Sequence, residues 1–437
     1  MISKIKNKLN GDIHLKELLK GSFIAFALKM LGTLLGYALI FLISNKTGAE
    51  GVGLFNVMNQ ILLILGMTLG LGMNVSVLRY AGQFNNLKDQ SKMHLLFKYF
   101  MHSVAPVSVT GGLLLFFCSD HLALWLNKGP EYAIGFKCVG ITLPFYTITQ
   151  ICIEFIRGLK KIKISELLRS VLRPTLMTLG ILIFYNDSLT KIDVIYLLGI
   201  SILFDALITG FSINKFLKLI PKSKVEFSKK KFLKTSYPMM GVGISAMLLN
   251  ASPIFFIDIL SSQKDTGIYT VVFKIASITS LILVIVNTIA APQFSELFWS
   301  KKKMELQQLI SQTTKIMFYV ALFFCVLIIA LSSQILLFFG EDFIDGKIAL
   351  IILISSQLIN SSTGSVGVIM NMSGNQRAYR VIIILTLLFQ LILLYFFVQK
   401  LSITGAALSV AISTILLNVS LVIFVKKKLD LKTSYPI

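Results

Sequence analysis

Long apolar segments recur along the whole chain and constrain its fold more than any motif does. A membrane-spanning helix needs about 20 mainly apolar residues. The 437-residue chain is 55% hydrophobic and 14% charged, whereas soluble domains carry about 25% charged residues. The sequence therefore predicts an all-α, polytopic membrane protein. Its twelve predicted transmembrane helices lie near residues 21–44, 55–81, 95–118, 133–157, 165–186, 192–214, 236–260, 268–297, 306–333, 347–372, 379–399 and 402–425.

Basic residues accumulate in every second gap between these helices. Clusters at 229–231, 301–303 and 426–428 alternate with gaps that hold a single lysine. The single lysines are Lys46, Lys128, Lys191, Lys264, Lys347 and Lys400. Because cytoplasmic loops are enriched in Lys and Arg, the alternation predicts that both termini are cytoplasmic. The same bias accounts for the net charge of +22, so anionic membrane lipids are the expected partner and nucleic acid is not.

The longest hydrophilic stretch divides the predicted helices six and six. The expected organisation is a cytoplasmic N-terminal segment at 1–20, an N-lobe at 21–214, a basic cytoplasmic linker at 215–234, a C-lobe at 235–425 and a cytoplasmic tail at 426–437. Gly53 and Gly267 follow the first helix of each lobe and are 214 residues apart. Gly158 and Gly374 follow the fourth helix of each and are 216 apart. The two lobes are therefore expected to form a parallel repeat, as in alternating-access transporters.

Deep cations outnumber deep acids inside the predicted helices. A charge at the bilayer centre costs at least about 2.5–3.5 kcal/mol, so each requires a partner or a function. Lys29 and Lys274 lie on helices with polar side chains at helical spacing, which favours a position facing a polar cleft. Lys315 either lines that cleft or extends to the inner interface. Asp205, the one deep acid, either pairs with a cation or relays a proton.

Two arginines have competing interpretations. Arg79 is either a cytoplasmic anchor or a phosphate contact at the mouth of the cleft. Arg173 is a deep cation, but its spacing favours a structural role in an ion-pair ladder within one helix. That ladder contains Glu166, Arg169 and Arg173. The tenth predicted helix carries enough Ser, Asn and Gln between 355 and 371 to line water or sugar.

The segment after the first helix reads Gly48-Ala49-Glu50-Gly51-Val52-Gly53-Leu54-Phe55. With twelve helices in two sets of six and a basic linker, it resembles the polysaccharide-transport (Wzx-type) O-antigen flippases. These belong to the multidrug/oligosaccharidyl-lipid/polysaccharide exporter superfamily. The resemblance covers the whole chain and implies a V-shaped pair of lobes in the bacterial plasma (inner) membrane.

The resemblance also implies a substrate and a set of contacts. The substrate would be an undecaprenyl-pyrophosphate-linked oligosaccharide, such as the O-antigen repeat unit of lipopolysaccharide, moved from the inner to the outer leaflet. Lys29 and Lys274 would attract its pyrophosphate, with Lys315 and Arg79 behind them. Apart from the resemblance, H⁺ or Na⁺ is hypothesised as the coupling ion, with Asp205 as the candidate group. A polysaccharide polymerase or chain-length protein would be a further partner.

Three other functions are weighed against this one. A multidrug/cation antiporter of the same superfamily would need several acids in its cavity. A lipid II flippase would be expected to carry additional C-terminal helices. An O-antigen polymerase or ligase would expose a large outward loop, and the sequence has neither such a loop nor a phosphate-cradling, nucleophile or zinc motif. The four cysteines and four histidines show no ligand spacing. The sequence therefore predicts a non-enzymatic transporter without a metal or cofactor.

Overall fold

The computed structural model of the chain describes residues 13–86, 91–184, 189–218 and 229–435. All secondary-structure elements in these ranges are helical, which confirms the predicted all-α class. The α-helices are α1 (Ile13–Leu69), α2 (Met73–Asn86), α3 (Ser91–Phe117), α4 (Ser119–Trp125), α5 (Pro130–Gly158), α6 (Ile162–Glu166), α7 (Arg173–Ile183), α8 (Lys191–Lys218), α9 (Lys229–Leu260), α10 (Gln263–Ser277), α11 (Leu281–Trp299), α12 (Lys303–Ala330), α13 (Ser332–Phe339), α14 (Lys347–Ser362), α15 (Val366–Met372) and α16 (Gln376–Leu429). A π-helical turn (Leu167–Leu172) joins α6 to α7, and 3₁₀ turns lie at Ile278–Ser280 and Glu341–Gly346.

Eight helical stretches of the described chain are long and apolar enough to cross a membrane. Two of them contain one residue with non-helical backbone, Gly48 in α1 and Ser402 in α16, and each therefore comprises two spans. Two further helical segments, 162–183 and 347–372, coincide with the fifth and the tenth predicted spans. In chain order the spans are 13–47, 49–86, 91–117, 130–158, 162–183, 191–218, 229–260, 263–299, 303–330, 347–372, 376–401 and 403–429.

Large apolar side chains are exposed along several spans. Phe117 is 72% exposed, and Ile183 and Phe211 are each 76% exposed. Transfer of apolar surface out of water is worth roughly 25 cal/mol per Å², so a surface of this kind is stable in hydrocarbon and costly in water. The exposed side chains thus agree with a multi-pass membrane protein.

The structure differs from the predicted boundaries at three places. Helix resumes at residue 49 rather than 55, because Ala49, Val52 and Leu54 are buried and pack as a helix. The ends of the predicted linker 215–234 are helical, since α8 reaches Lys218 and α9 begins at Lys229. The middle of that linker, 219–228, and residues 1–12 lie outside the described residues.

The chain forms two compact units, and each unit is made of two separate stretches of the chain. Unit 1 contains Met1–Leu42 and Met58–Ile244, and unit 2 contains Ile43–Val57 and Ser245–Ile437. Phe100 and Phe155 lie in a core cluster of unit 1. Phe294, Met370 and Val425 lie in one of unit 2. Residues 43–57, which comprise the end of the first span and the start of the second, thus belong to the same unit as the second half of the chain.

Two backbone interruptions in unit 2 lie at residues with positive φ. Ser402 has a positive φ of 45°, and its hydroxyl donates to Asp265 Oδ2 at 2.7 Å. Ser261 also donates to Asp265. The tenth span is interrupted between α14 and α15 at Gly364, whose φ of 73° suits glycine. A Cβ there would lie 2.3 Å from the hydroxyl oxygen of Thr314.

Candidate substrate-binding residues

Lys29 lies on the side of the first span opposite an exposed apolar stripe. Leu31 and Leu34 on that stripe are 46% and 60% exposed. At about 100° of rotation per residue, both point roughly away from Lys29, whereas the buried Ile40 and Ile43 share its face. The Lys29 side chain is itself exposed. It is therefore an accessible amine on the packed face of the span.

A close helix contact lies one turn beyond Lys29. A Cβ at Gly32 would lie 2.2 Å from the carbonyl oxygen of Ser170, in the π turn of the fifth span. Pro174 has no N–H to donate to that carbonyl. Inside a membrane a freed carbonyl must be covered by protein or water, and the backbone of Gly32 covers this one. The contact fixes the position of Lys29 relative to the fifth span.

A buried polar cluster follows the π turn. The guanidinium carbon of Arg173 lies 5.4 Å from the ring centroid of Tyr146. Asp205, which is 4% exposed, interacts electrostatically with Arg173. The Thr209 hydroxyl donates to Asp205 Oδ1 at 3.3 Å. Asp205 thus has a cation in its electrostatic surroundings, and both of its expected roles stay predictions.

Arg169 pairs with the fourth span, so the predicted ion-pair ladder within the fifth span is wrong for this residue. Its Nη2 donates to Glu154 Oε1 of the fourth span at 2.5 Å, and Arg157 lies 3.9 Å from the other carboxylate oxygen of Glu154. The π turn at 167–172 changes the rotation per residue, so α-helical spacing does not hold across it. Arg169 therefore links two spans.

Lys274 is half-buried near the end of α10. One turn before it, the buried Thr270 accepts a hydrogen bond from Asn56 Nδ2 at 2.7 Å. Tyr269 stacks on Phe273, with ring centroids 6.0 Å apart. The amine thus projects from a helix whose neighbouring turn is fixed by packing and by a polar contact.

The polar side chains of the tenth span make contacts with other spans. Ser280 donates to Gln357 Oε1 at 2.7 Å. Ser365 donates to Asn287 Oδ1 at 2.5 Å, and the Thr363 hydroxyl lies 3.0 Å from Asn418 Oδ1. These residues, predicted to line water or sugar, connect the tenth span to the eighth and twelfth.

Lys315 lies beside the C-terminal tail. Its Nζ is 5.3 Å from the ring centroid of Tyr435, whose hydroxyl lies 2.9 Å from that of Tyr319. The backbone N–H of Tyr435 donates to the Ser362 carbonyl at 2.8 Å, next to the interruption of the tenth span. A cation–π contact of this kind is worth about 0.5–2 kcal/mol. It gives Lys315 a structural partner besides its predicted role.

The predicted site residues fall into two groups. Lys29, Arg79 and Asp205 belong to unit 1, and Lys274 and Lys315 belong to unit 2. Arg79 is exposed on α2. Within the described part of the chain, no three His, Cys, Asp or Glu side chains lie close enough to hold a metal ion.

Sequence reasoning gave too little weight to Arg173 and did not single out Tyr146. A buried Nη1 of Arg173 has no hydrogen-bond partner among the described residues. Pro174, directly after this arginine, was a signal that the helix is distorted there. Tyr146 follows Pro144 by two residues and is itself buried.

The family comparison gives these side chains a context. Residues 18–298 match the family model described as "Polysaccharide biosynthesis protein". This chain belongs to the polysaccharide biosynthesis protein family. The match covers all of the predicted N-lobe and the seventh and eighth spans. A search of curated proteins finds no match to the chain.

Solved structures show which fold this family member has. A multidrug resistance MATE family transporter of the MOP superfamily, in its inward-facing conformation, is similar with a TM-score of 0.74 and 14% identity over 94% of this chain and 98% of that one. The lipid II flippase MurJ, in an inward closed conformation, has a TM-score of 0.74 and 16% identity over 93% and 87%. A MOP superfamily transporter from Pyrococcus furiosus, whose reversed pocket polarity suggests a different function, has a TM-score of 0.66 and 16% identity over 95% and 96%. The polysaccharide biosynthesis protein therefore has the MOP transporter fold, as the sequence resemblance implied.

Proposed function

We propose that this protein is a flippase that moves an undecaprenyl-pyrophosphate-linked oligosaccharide across the bacterial plasma membrane by alternating access. The cargo would be an O-antigen or related repeat unit, carried from the inner to the outer leaflet. Membership of the polysaccharide biosynthesis family supports a glycan cargo. The MOP fold, which MurJ shares, supports transport rather than catalysis.

The position of Lys29 is the observation that carries the proposal. An amine on the packed face of a membrane span, turned away from Leu31 and Leu34, does not face the acyl chains. Such an amine would bind an anion that reaches it through the interior of the protein. A diphosphate is such an anion, and a charge-assisted hydrogen bond to it would contribute about 1.5–3 kcal/mol. We assign the same role to Lys274, with Lys315 and Arg79 as secondary contacts.

The membrane potential acts in the same direction as the proposed transport. With the cytoplasm negative, outward movement of an anion is favoured by about 2.3 kcal/mol per charge per 100 mV. The emptied, positively charged site then returns inward along the same field, because an inside-negative potential favours inward movement of positive charge. A bound H⁺ or Na⁺ that moved inward with the site would add to this favourable charge movement. Asp205 is the candidate group for that step.

An organic cation and lipid II are the two alternative cargoes for a transporter of this fold. An organic cation would need an acid free to hold it, and the buried Asp205 faces Arg173 instead, which disfavours the multidrug/cation antiporter. Lipid II is the cargo named for MurJ and carries the same diphosphate chemistry. The test therefore has to offer each cargo separately.

The test uses the full chain reconstituted in vesicles. The lipid-linked oligosaccharide is offered on one side, and its glycan is measured on the other side with a membrane-impermeant lectin. We expect transfer by the wild-type protein and at least tenfold slower transfer by Lys29→Ala and Lys274→Ala. Lys29→Arg, which keeps the charge, should retain most of the rate. Lys400→Ala removes an exposed lysine from a single-lysine gap and is the matched control.

Two results would overturn the proposal. One is transfer of organic cations or lipid II without transfer of the lipid-linked oligosaccharide. The other is an unchanged rate in both Lys29→Ala and Lys274→Ala. Complementation of a strain that lacks its O-antigen flippase, scored by surface polysaccharide, is the parallel measurement in cells.

A further inference from the structure

A cleft at the lysine-rich end of unit 2 combines an apolar floor with a basic rim. Its volume is about 380 Å³. The cleft is lined by Leu297, Phe298, Trp299, Lys301, Lys303, Leu306, Leu429 and Leu431. Leu306 and Leu431 are each 2% exposed and form a closed floor. Hydrocarbon therefore fits inside, and an anion fits at the rim.

The rim carries more positive charge than its acidic residues neutralise. Lys303 pairs with Asp430, and Lys302 lies 3.3 Å from Glu305. The cluster at 426–428 immediately precedes Leu429. Lys301 stands in the turn between the eighth and ninth spans with a φ of 56°. It adds a further positive charge directly at the opening of the cleft.

The cleft lies where a membrane has its interface. Trp299 is 66% exposed, and its indole Nε1 donates to the Met372 carbonyl at 3.1 Å. Tryptophan concentrates at membrane–water interfaces, and lysine-rich loops mark the cytoplasmic side. That leaflet is the one that carries anionic lipid headgroups. The surroundings therefore supply one kind of molecule that is apolar at one end and negative at the other.

We infer that this cleft binds an anionic phospholipid of the cytoplasmic leaflet. One acyl chain lies along Leu297, Leu306 and Leu431, and the phosphate lies at Lys301. The complementarity of charge and the apolar floor together select an amphiphile over a soluble phosphate. This inference is independent of the transported cargo.

Native mass spectrometry of the full chain in detergent tests the site. Phosphatidylglycerol and phosphatidylcholine of the same chain length are titrated separately, and glycerol 3-phosphate is added as a soluble competitor. We expect tighter binding of phosphatidylglycerol and no competition. Lys301→Ala should weaken phosphatidylglycerol binding about fivefold, which corresponds to about 1 kcal/mol per basic residue near a membrane surface. Lys400→Ala, which removes an exposed lysine elsewhere, should leave it unchanged.

Leu297→Trp tests the apolar half of the site, because it fills the cleft and leaves the lysines in place. Loss of lipid binding with an unchanged unfolding temperature would support the inference. Equal binding of the two lipids, equal effects of Lys301→Ala and Lys400→Ala, displacement by glycerol 3-phosphate, or full binding by a folded Leu297→Trp protein would each overturn it.

Discussion

Gly53 and Gly267 occupy equivalent positions in the two sequence repeats, and each lies against the backbone of the other's segment. A Cβ on Gly53 would lie 2.2 Å from the carbonyl oxygen of Gln263, and a Cβ on Gly267 would lie 1.8 Å from that of Ala49. Ala49 and Gln263 have the same separation of 214 residues, as do the hydrogen-bonded Asn56 and Thr270. The contact is therefore reciprocal, as in a two-fold symmetric interface.

The reciprocal glycine contact predicts that a single methyl group added at either glycine lowers the stability of the protein. Gly267→Ala should destabilise the protein by about 1–3 kcal/mol, the usual cost of overpacking, because the neighbour is backbone and cannot rotate away. Gly53→Ala should behave alike, since its position is equivalent. Thermal unfolding in detergent measures the effect.

Gly210→Ala is the matched control for the two glycine variants. Gly210 also lies within a span, but a Cβ there meets nothing within 4 Å. Its unfolding temperature should stay close to that of the wild-type protein. If Gly267→Ala unfolded at the same temperature as Gly210→Ala, the close contact would not exist in the folded protein.

The backbone kink at Ser402 predicts an order of stability for the wild-type protein and the variants Ser402→Ala and Ser402→Gly. Ser402→Ala keeps a residue with a Cβ at positive φ but loses the hydrogen bond to Asp265, which is worth about 1–2 kcal/mol. Ser402→Gly loses the same bond but relieves backbone strain of about 1–2 kcal/mol. The wild-type and glycine proteins should therefore unfold at similar temperatures and above the alanine variant. An alanine variant that is more stable than the glycine variant would contradict this account.

The pair of Arg173 and Asp205 predicts non-additive mutations. Asp205→Ala removes the carboxylate that interacts electrostatically with Arg173 inside the membrane, and this should lower the stability by about 1–3 kcal/mol. Arg173→Met alone should be similarly harmful. The double variant removes both charges and should recover much of the stability. Strict additivity of the two single effects in the same unfolding assay would show that the two side chains do not interact.

The contact between Lys303 and the C-terminal tail is predicted to depend on pH through the carboxyl group of Asp430. Its side chain accepts a hydrogen bond from Lys303, and this bond lowers the pKa of Asp430 below its ordinary value of about 4. A carboxyl whose pKa is lowered by folding contributes stability above the unfolded pKa and loses it as the pH falls through the folded pKa. The contact should thus persist from pH 7 to about pH 5 and be lost only below about pH 4.

Hydrogen exchange of residues 431–435, corrected for the intrinsic effect of pH, measures this prediction. Asp430→Asn should lower protection already at pH 7 and remove the transition at low pH. Loss of protection in the wild-type tail between pH 7 and pH 5 would be incompatible with a lowered pKa.

The sequence predicted the spans well because their signal is local. About 20 consecutive apolar residues and a lysine count need no knowledge of the fold, and all twelve predicted spans coincide with helical segments. The stretch from Ala49 to Leu54 was predicted to lie between two spans, because the second apolar run was placed from residue 55 onward. Burial against the second half of the chain keeps it helical, and that contact is not visible in a local pattern.

The candidate site was less predictable for the same reason. The spacing of Glu166, Arg169 and Arg173 suggested a ladder because it assumed uniform α-helical rotation, and the π turn breaks that assumption. Lys315 was correctly placed within its span, but its contact with Tyr435 connects residues far apart in sequence. A deep charge is readable from sequence, whereas its partner depends on packing.

The π turn at 167–172 also makes the fifth span tolerant of a change in chain length. A π turn accommodates one residue more than the α-helical path around it. Deleting a single residue there would restore regular winding and leave the helix beyond it in nearly the same rotational phase. Arg173 would then keep its position beside the Tyr146 ring. The same deletion in a regular turn of the span would rotate everything beyond it by about 100°.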